Sequence, residues 1–250
     1  MRSLFESWGE VKARLAGATR IALFLDFDGT LTKIRPRPEE VKLDSETRRT
    51  LAGLASSRRF RVSVISGRRQ ADLRARIGVQ GIHYLGLHGW DRGDDGELSD
   101  ESRALLECVK SKIALTKYPG VWMEDKRQIL AVHYREATEE TGRGVREALN
   151  RAIRGLSRGL KLVGGKMVWE IVPRELEDKG TAVRRELAAL CCDATAVYAG
   201  DDLGDEPAFA ALRHGITVYV GRARMTKARF HLADEGQVRL FLRRMREEFA

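Results

Sequence analysis

Short, uninterrupted apolar runs that end in carboxylates or glycine constrain this chain most. Residues 21–26 read IALFLD, residues 60–65 read FRVSVI and lead into Ser66-Gly67-Arg68, and residues 82–87 lead into His88-Gly89. Much later, residues 194–199 (ATAVYA) lead into Gly200-Asp201-Asp202, and residues 216–220 (ITVYV) lead into Gly221. A strand that is apolar at every position needs cover on both faces, so these runs predict a parallel sheet between layers of helix. Helical patterns lie between them, at residues 44–55 with Asp44 or Ser45 as N-cap, at 180–190, and at 238–249. The expected class is α/β with a doubly wound parallel sheet. In such sheets ligands bind beyond the C-terminal ends of the strands, where the polar residues of this chain collect.

The middle of the chain has another texture. A helix is expected at 102–118, a strand pair at 121–125 and 128–134, a helix at 138–154, and a second pair at 160–163 and 167–172 around Gly164-Gly165. This αββαββ unit reads as an insertion at 102–173, closed by Pro173, between two core segments at 1–101 and 174–250. A length of 250 residues accommodates a core domain with a smaller insertion.

The net charge of +9 raises the question of nucleic acid. The basic residues are interleaved with Glu in the predicted helices and no recognition motif accompanies them, so no nucleic-acid partner is expected. A basic field also suits a phosphorylated substrate. No apolar run has bilayer length and the N-terminus lacks the form of a signal peptide, so no membrane association is expected and the cytoplasm is the default. Cys108, Cys191 and Cys192 show no metal-type spacing and read as buried free thiols. Without a long apolar patch or heptad, a monomer is expected.

The chemistry concentrates in Leu25-Asp26-Phe27-Asp28-Gly29-Thr30-Leu31, directly after the first strand. Carboxylates at i and i+2 beyond a strand end can address one metal and one phosphate, and their hard oxygens suit Mg2+. Gly29 permits a turn that brings main-chain amides towards a phosphate. Asp26 can attack phosphorus. Asp28 can protonate the leaving oxygen and later activate water.

At this point the chain resembles the haloacid dehalogenase superfamily, and the resemblance implies further roles. Ser66 matches the hydroxyl that hydrogen-bonds a phosphoryl oxygen. Lys179, in Glu177-Asp178-Lys179-Gly180, matches the lysine that neutralises nucleophile and phosphate. Asp201, in Gly200-Asp201-Asp202-Leu203-Gly204-Asp205-Glu206, matches the aspartate that completes a magnesium site with Asp26 and the main-chain carbonyl of Asp28. Asp202 is expected to hold a metal-bound water or the lysine, and Asp205 to cap the next helix.

Over nearly its whole length the chain is similar to the trehalose-6-phosphate phosphatase family. The strings are LFLDFDGTL at 23–31, ISGR at 65–68, GLHG at 86–89, GDDLGDEPAF at 200–209, Glu124-Asp125-Lys126 followed by Val132-His133-Tyr134-Arg135, and Gly165 to Pro173 (GKMVWEIVP). The family's fourth motif reads GDDxTDE, and here Gly204 stands in place of the Thr. The resemblance implies a Mg2+-dependent phosphatase with an aspartyl-phosphate intermediate and a cap that closes on a sugar phosphate. Glu124, Lys126, Lys166 and Glu170 of the cap, with Arg68 and His88 of the core, are the expected substrate contacts. Related cap-bearing phosphatases act on sucrose phosphate or mannosyl-phosphoglycerate, so another sugar or cyclitol phosphate stays open here. A non-catalytic regulatory subunit would be expected to have lost Asp26, Asp28, Ser66, Lys179 or Asp201, and all are present.

Overall fold

The computed structural model describes all residues except 36, 94–96, 191–192 and 223. The chain forms two compact units, Met1–Asp94 with Asp178–Ala250, and Asp95–Glu177.

The first unit begins with β1 (Arg2–Ser3), α1 (Trp8–Ala16), β2 (Arg20–Leu25), α2 (Ser45–Ser56), β3 (Phe60–Ile65), α3 (Gln70–Ile77) and β4 (His83–Leu85). The second contains α4 (Asp100–Lys112), β5 (Trp122–Asp125), β6 (Leu130–His133), α5 (Glu139–Ala152), β7 (Leu160–Gly165) and β8 (Val168–Pro173). The first unit then resumes with α6 (Lys179–Ala188), β9 (Ala194–Gly200), α7 (Glu206–Ala211), β10 (Ile216–Val220), β11 (Phe230–Leu232) and α8 (Glu235–Phe249).

The core sheet is parallel throughout, in the order β1-β11-β10-β9-β2-β3-β4. From β2 the chain winds outwards through β3 and β4, then returns to the other side of β2 as β9 and continues to β10 and β11. The order therefore reverses at β2, and the crevice beyond the ends of β2 and β9 is the place such a sheet offers a ligand.

The alternation of side chains decides which groups meet there. Ile21, Leu23 and Leu25 enter the hydrophobic layer shared with α1, α2, α3 and α8, whereas Ala22 and Phe24 enter the layer under α6 and α7. A strand's side chains alternate with a period of two, so Asp26 follows Phe24 to the α6 side. The ladder persists to this point, since the Asp26 amide donates to the Ala199 carbonyl at 2.9 Å.

The insertion carries an antiparallel sheet in the order β5-β6-β8-β7. Its compact unit reaches a few residues beyond the expected 102–173 at both ends. The flanks fold with it for a physical reason: Glu175 accepts hydrogen bonds from the Ser99 amide (3.1 Å) and hydroxyl (3.2 Å), and Leu98 and Leu176 are buried. The helix expected to run to 118 stops at Lys112. Pro119 and Gly120 (φ +75°) instead form the approach to β5. The β7–β8 turn falls at Lys166-Met167, two residues beyond the Gly164-Gly165 expected, with Met167 in the left-handed region at φ +60°.

Cys108 is half-buried on α4 and not fully buried, while Cys191 and Cys192 lie outside the described residues. Among the described residues no helix is long and apolar enough to cross a membrane.

Candidate active site

Lys179 opens α6, where the Asp178 side chain caps the helix by accepting from the Thr181 amide at 2.8 Å. That cap places the lysine at the crevice. Its Nζ donates to Asp26 Oδ1 and to Asp205 Oδ1, both at 2.7 Å, in a site where all three side chains are buried. Burial opposes the ammonium, but Asp205 and Asp26 outweigh it and hold Lys179 well above its ordinary range.

Asp205, expected to be a helix cap, is the keystone of this end of the sheet. Its Oδ1 accepts from Lys179 and from the Tyr198 hydroxyl, the latter at 2.7 Å. Its Oδ2 accepts from the amides of Asp201 (2.9 Å) and Asp202 (3.0 Å). Four donors fill the lone-pair directions of a carboxylate. Burial works against its charge, yet Lys179 and these bonds hold Asp205 below the usual carboxylate range. Burial and the Asp205 charge push the Tyr198 phenol well up, so it serves as a donor.

The carboxylates of Asp26, Asp201 and Asp205 each offer an oxygen within 4.8 Å of the others, and the three residues could hold a metal ion. With Asp205 saturated, Asp26 and Asp201 are the ligands this geometry favours. The negative charge exceeds what Lys179 neutralises. Burial raises the Asp26 carboxyl to about 8 against the pull of Lys179, with Asp205 and Asp202 adding to the rise. Burial, then Asp205, raises Asp202 to about 6. Such an all-oxygen, overcharged donor set fits a hard divalent cation.

Asp202 does not join that cluster. Its Oδ1 accepts from the Gly204 amide at 2.7 Å, closing the turn after β9. Gly29 adopts φ +90°, and a Cβ there would overlap the Asp201 carboxylate. The glycine of the first motif therefore makes room for the aspartate of the last.

Arg68, expected at the substrate, holds the second aspartate of the first motif in this structure. Its Nε and Nη2 grip Asp28 at 2.6 and 2.9 Å, Nη1 reaches Asp72 at 2.8 Å, and Nη2 also meets the Pro38 carbonyl at 2.9 Å. Ser66 is buried at the end of β3, and its hydroxyl oxygen accepts from the Arg68 amide at 3.2 Å, so its own proton stays available to donate. His88 stands in a left-handed stretch with Leu87 and Gly89 (φ 63°, 46° and 113°), tied to β3 by its amide on the Ser66 carbonyl. A positive charge on His88 would pull the Asp202 carboxyl down, against burial and Asp205.

In the second unit the expected residues share one sheet face. Glu124 pairs with Ala131, and Ala131 with Glu170, across β5, β6 and β8. Lys126 donates to Glu170 at 2.9 Å in a largely buried ion pair. Glu124 Oε2 stands 3.0 Å from His133 Nε2. Lys166 is exposed at the β7–β8 turn. Asp205, Tyr198, Asp72 and His133 were missed as partners in these sites. Asp205 had a signal in its position four after Asp201, whereas Tyr198 looked like one more apolar strand residue.

Residues 24–235 match the family model described as Trehalose-phosphatase. A probable trehalose-phosphate phosphatase 9 of Oryza sativa subsp. japonica is 32% identical over 94% of this chain and 72% of its own length. The trehalose-phosphate phosphatase of Mycobacterium bovis is 34% identical over 91% of this chain and 62% of its own. In fold, the C-terminal domain of a C. albicans trehalose-6-phosphate phosphatase superposes with TM-score 0.82 over 96% of each chain at 23% identity. A family match over residues 24–235, with curated relatives above 30% identity across most of the chain, shows that the chain belongs to the trehalose-phosphatase family.

Proposed function

We propose that the protein hydrolyses trehalose 6-phosphate to trehalose and phosphate, with Mg2+ and through a phosphoryl group carried on Asp26. The observation that carries this reading is the Lys179 ammonium on Asp26 and Asp205, inside the crevice of a chain of this family.

The Asp26 and Asp201 carboxylates and the Asp28 main-chain carbonyl would hold the ion. When bound, it neutralises phosphoryl oxygens and orients them for in-line displacement. Asp26 forms an oxygen–phosphorus bond while the bond from phosphorus to the sugar's 6-oxygen breaks. Asp28 gives its proton to that oxygen. Water then attacks phosphorus, Asp28 takes up a proton, and the bond to Asp26 breaks to release phosphate. Lys179 keeps the Asp26 oxygen in place, and the Ser66 hydroxyl donates to a phosphoryl oxygen. Asp202 shapes the turn that carries Asp201, and Arg68 orients Asp28.

In the second unit, Glu124, Lys126, Lys166 and Glu170 are the residues that would read the sugar; in the first unit the corresponding candidate is His88. Two carboxylates and two ammonium groups match the alternating donors and acceptors of a disaccharide.

Phosphate release across a panel of sugar phosphates tests the reading, with Asp26→Asn as the control. Trehalose 6-phosphate should have the highest kcat/KM, and the variant should release none. A clear preference for sucrose phosphate or mannosyl-phosphoglycerate would replace the substrate.

A further inference from the structure

The insertion's sheet holds a buried imidazole that the reaction does not use. His133 lies on β6, directly opposite Trp122 of β5, and the two rings stack at 4.1 Å with 19° between their planes. Glu124 is the diagonal neighbour of His133 on the same face, a distance that long side chains bridge. The imidazole Nε2 stands 3.0 Å from Glu124 Oε2.

The two ring nitrogens differ. Nδ1 is buried and has no hydrogen-bond partner among the described residues. A proton on Nδ1 would bury an unsatisfied donor, which costs about 1–3 kcal/mol. A carboxylate accepts, so the hydrogen bond to Glu124 is donated by Nε2–H. Stacking on Trp122 prevents the ring from turning away.

Glu124 is the side chain this arrangement serves. The imidazole is almost fully buried, at 5% exposure, whereas the carboxylate is 38% exposed. Burial alone would raise the Glu124 pKa, but the His133 hydrogen bond and the Lys126 charge hold it below the usual range. One carboxylate oxygen is pinned from below and the group stays ionised. Across the buried Ala131, two strand spacings or about 10 Å away, stands Glu170 with Lys126 on it.

The geometry points to His133 as the positioning residue of the sugar site: its Nε2–H fixes the Glu124 carboxylate so that the other oxygen accepts a sugar hydroxyl. This inference rests on the reading of Glu124 as a sugar contact.

The test is a double-mutant cycle. His133→Phe keeps a ring on Trp122 and removes the donor, His133→Gln keeps an N–H at similar reach, and Glu124→Ala removes the acceptor. Each is measured on the sugar phosphate the wild type turns over best and on p-nitrophenyl phosphate. His133→Phe should raise KM for the sugar phosphate about tenfold with kcat little changed, the signature of lost uniform binding. His133→Gln should recover most of that loss. His133→Phe should add nothing in the Glu124→Ala background.

Additive losses, equal effects of Phe and Gln, or equal losses on both substrates overturn the role. If His133→Phe fails to fold, a Gln variant with wild-type KM and melting temperature supports it, and one with raised KM overturns it. A wild type that prefers a sugar other than trehalose corrects the substrate and leaves this cycle intact. A wild type indifferent between sugar and aryl phosphates overturns the sugar reading and the positioning role together.

Discussion

The Arg68 guanidinium holds the Asp28 carboxylate with two hydrogen bonds, 2.6 and 2.9 Å long, and is itself braced by Asp72 and the Pro38 carbonyl. Two parallel bonds fix the plane of a carboxylate, which one ammonium cannot do. Arg68→Lys should therefore loosen the hold on Asp28, which must give up one of these two bonds to carry the proton it passes to the leaving oxygen. The loss should reach about 10–100-fold in kcat/KM for trehalose 6-phosphate, within the range general acid catalysis contributes. It should be much smaller for p-nitrophenyl phosphate, whose leaving group needs no proton. Both substrates measured on one preparation decide the matter. Equal losses would mean that Arg68 serves the loop at Pro38 instead.

That pair also marks where sequence reading stops. Asp26, Lys179 and Asp201 were legible because each follows or opens an element whose pattern is strong, and the fold's strand order brings their ends together. The reach of Arg68 was not legible. Its partner Asp28 is distant in sequence, and nothing local distinguishes an arginine that meets phosphate from one that meets a neighbouring aspartate. Asp205 was visible as a residue but not as a keystone, because three of its donors are main-chain or strand groups whose direction depends on the closed turn. In the insertion, alternation predicted the strands. The true partner of Glu124 depended on register, since His133 is reachable only when Glu124 faces Ala131.

Removing metal should change stability as well as activity. A chelator should stop turnover and Mg2+ restore it. Mg2+ binds the native site and not the unfolded chain, so a hundredfold excess over Kd adds about 2.7 kcal/mol. The sign of the pH effect follows from Asp26. Burial, with Asp205 and Asp202 adding, raises its native carboxyl to about 8 without metal. Unfolded, the same group ionises near 3.9, its usual value of about 4. Between about 4 and about 8 the native state keeps a proton that the unfolded state has lost, so stability falls as pH rises through that window and is flat above it. Asp202, raised to about 6 by burial and then by Asp205, adds to the lower part of the slope. Metal binds the ionised carboxylates, so the rise in melting temperature on adding Mg2+ should be greater near pH 8 than near pH 5. Melting curves with and without Mg2+ across this range check the sign.

Gly29→Ala should separate folding from metal binding. The residue sits at φ +90°, where an L side chain is strained by roughly 1–2 kcal/mol. Its Cβ would displace the Asp201 carboxylate. The core clusters on both sheet faces do not involve this position, so the circular dichroism spectrum should match that of the wild type. Activity should fall about 100-fold, as misplacement by an ångström does elsewhere. The Mg2+ activation curve should move to higher concentration. An unchanged curve would remove Asp201 from the metal site.

Lys166 and Glu170 should both favour sugar over aryl phosphate, but their truncations should differ in stability. Lys166 is exposed on its turn, so Lys166→Ala should leave the melting temperature within about 1 °C of wild type, as a surface change within ±0.5 kcal/mol does. Glu170 is buried against Lys126 at 2.9 Å, and removing one partner of a buried ion pair costs about 3–5 kcal/mol. Glu170→Gln keeps the volume and an acceptor oxygen while losing the charge, and is the better probe of recognition. Lys166→Ala and Glu170→Gln should each lower kcat/KM for trehalose 6-phosphate at least tenfold more than for p-nitrophenyl phosphate. Paired kinetics and melting curves on the two variants give the result. Equal losses on both substrates, from a variant that melts like the wild type, would remove that side chain from the sugar site.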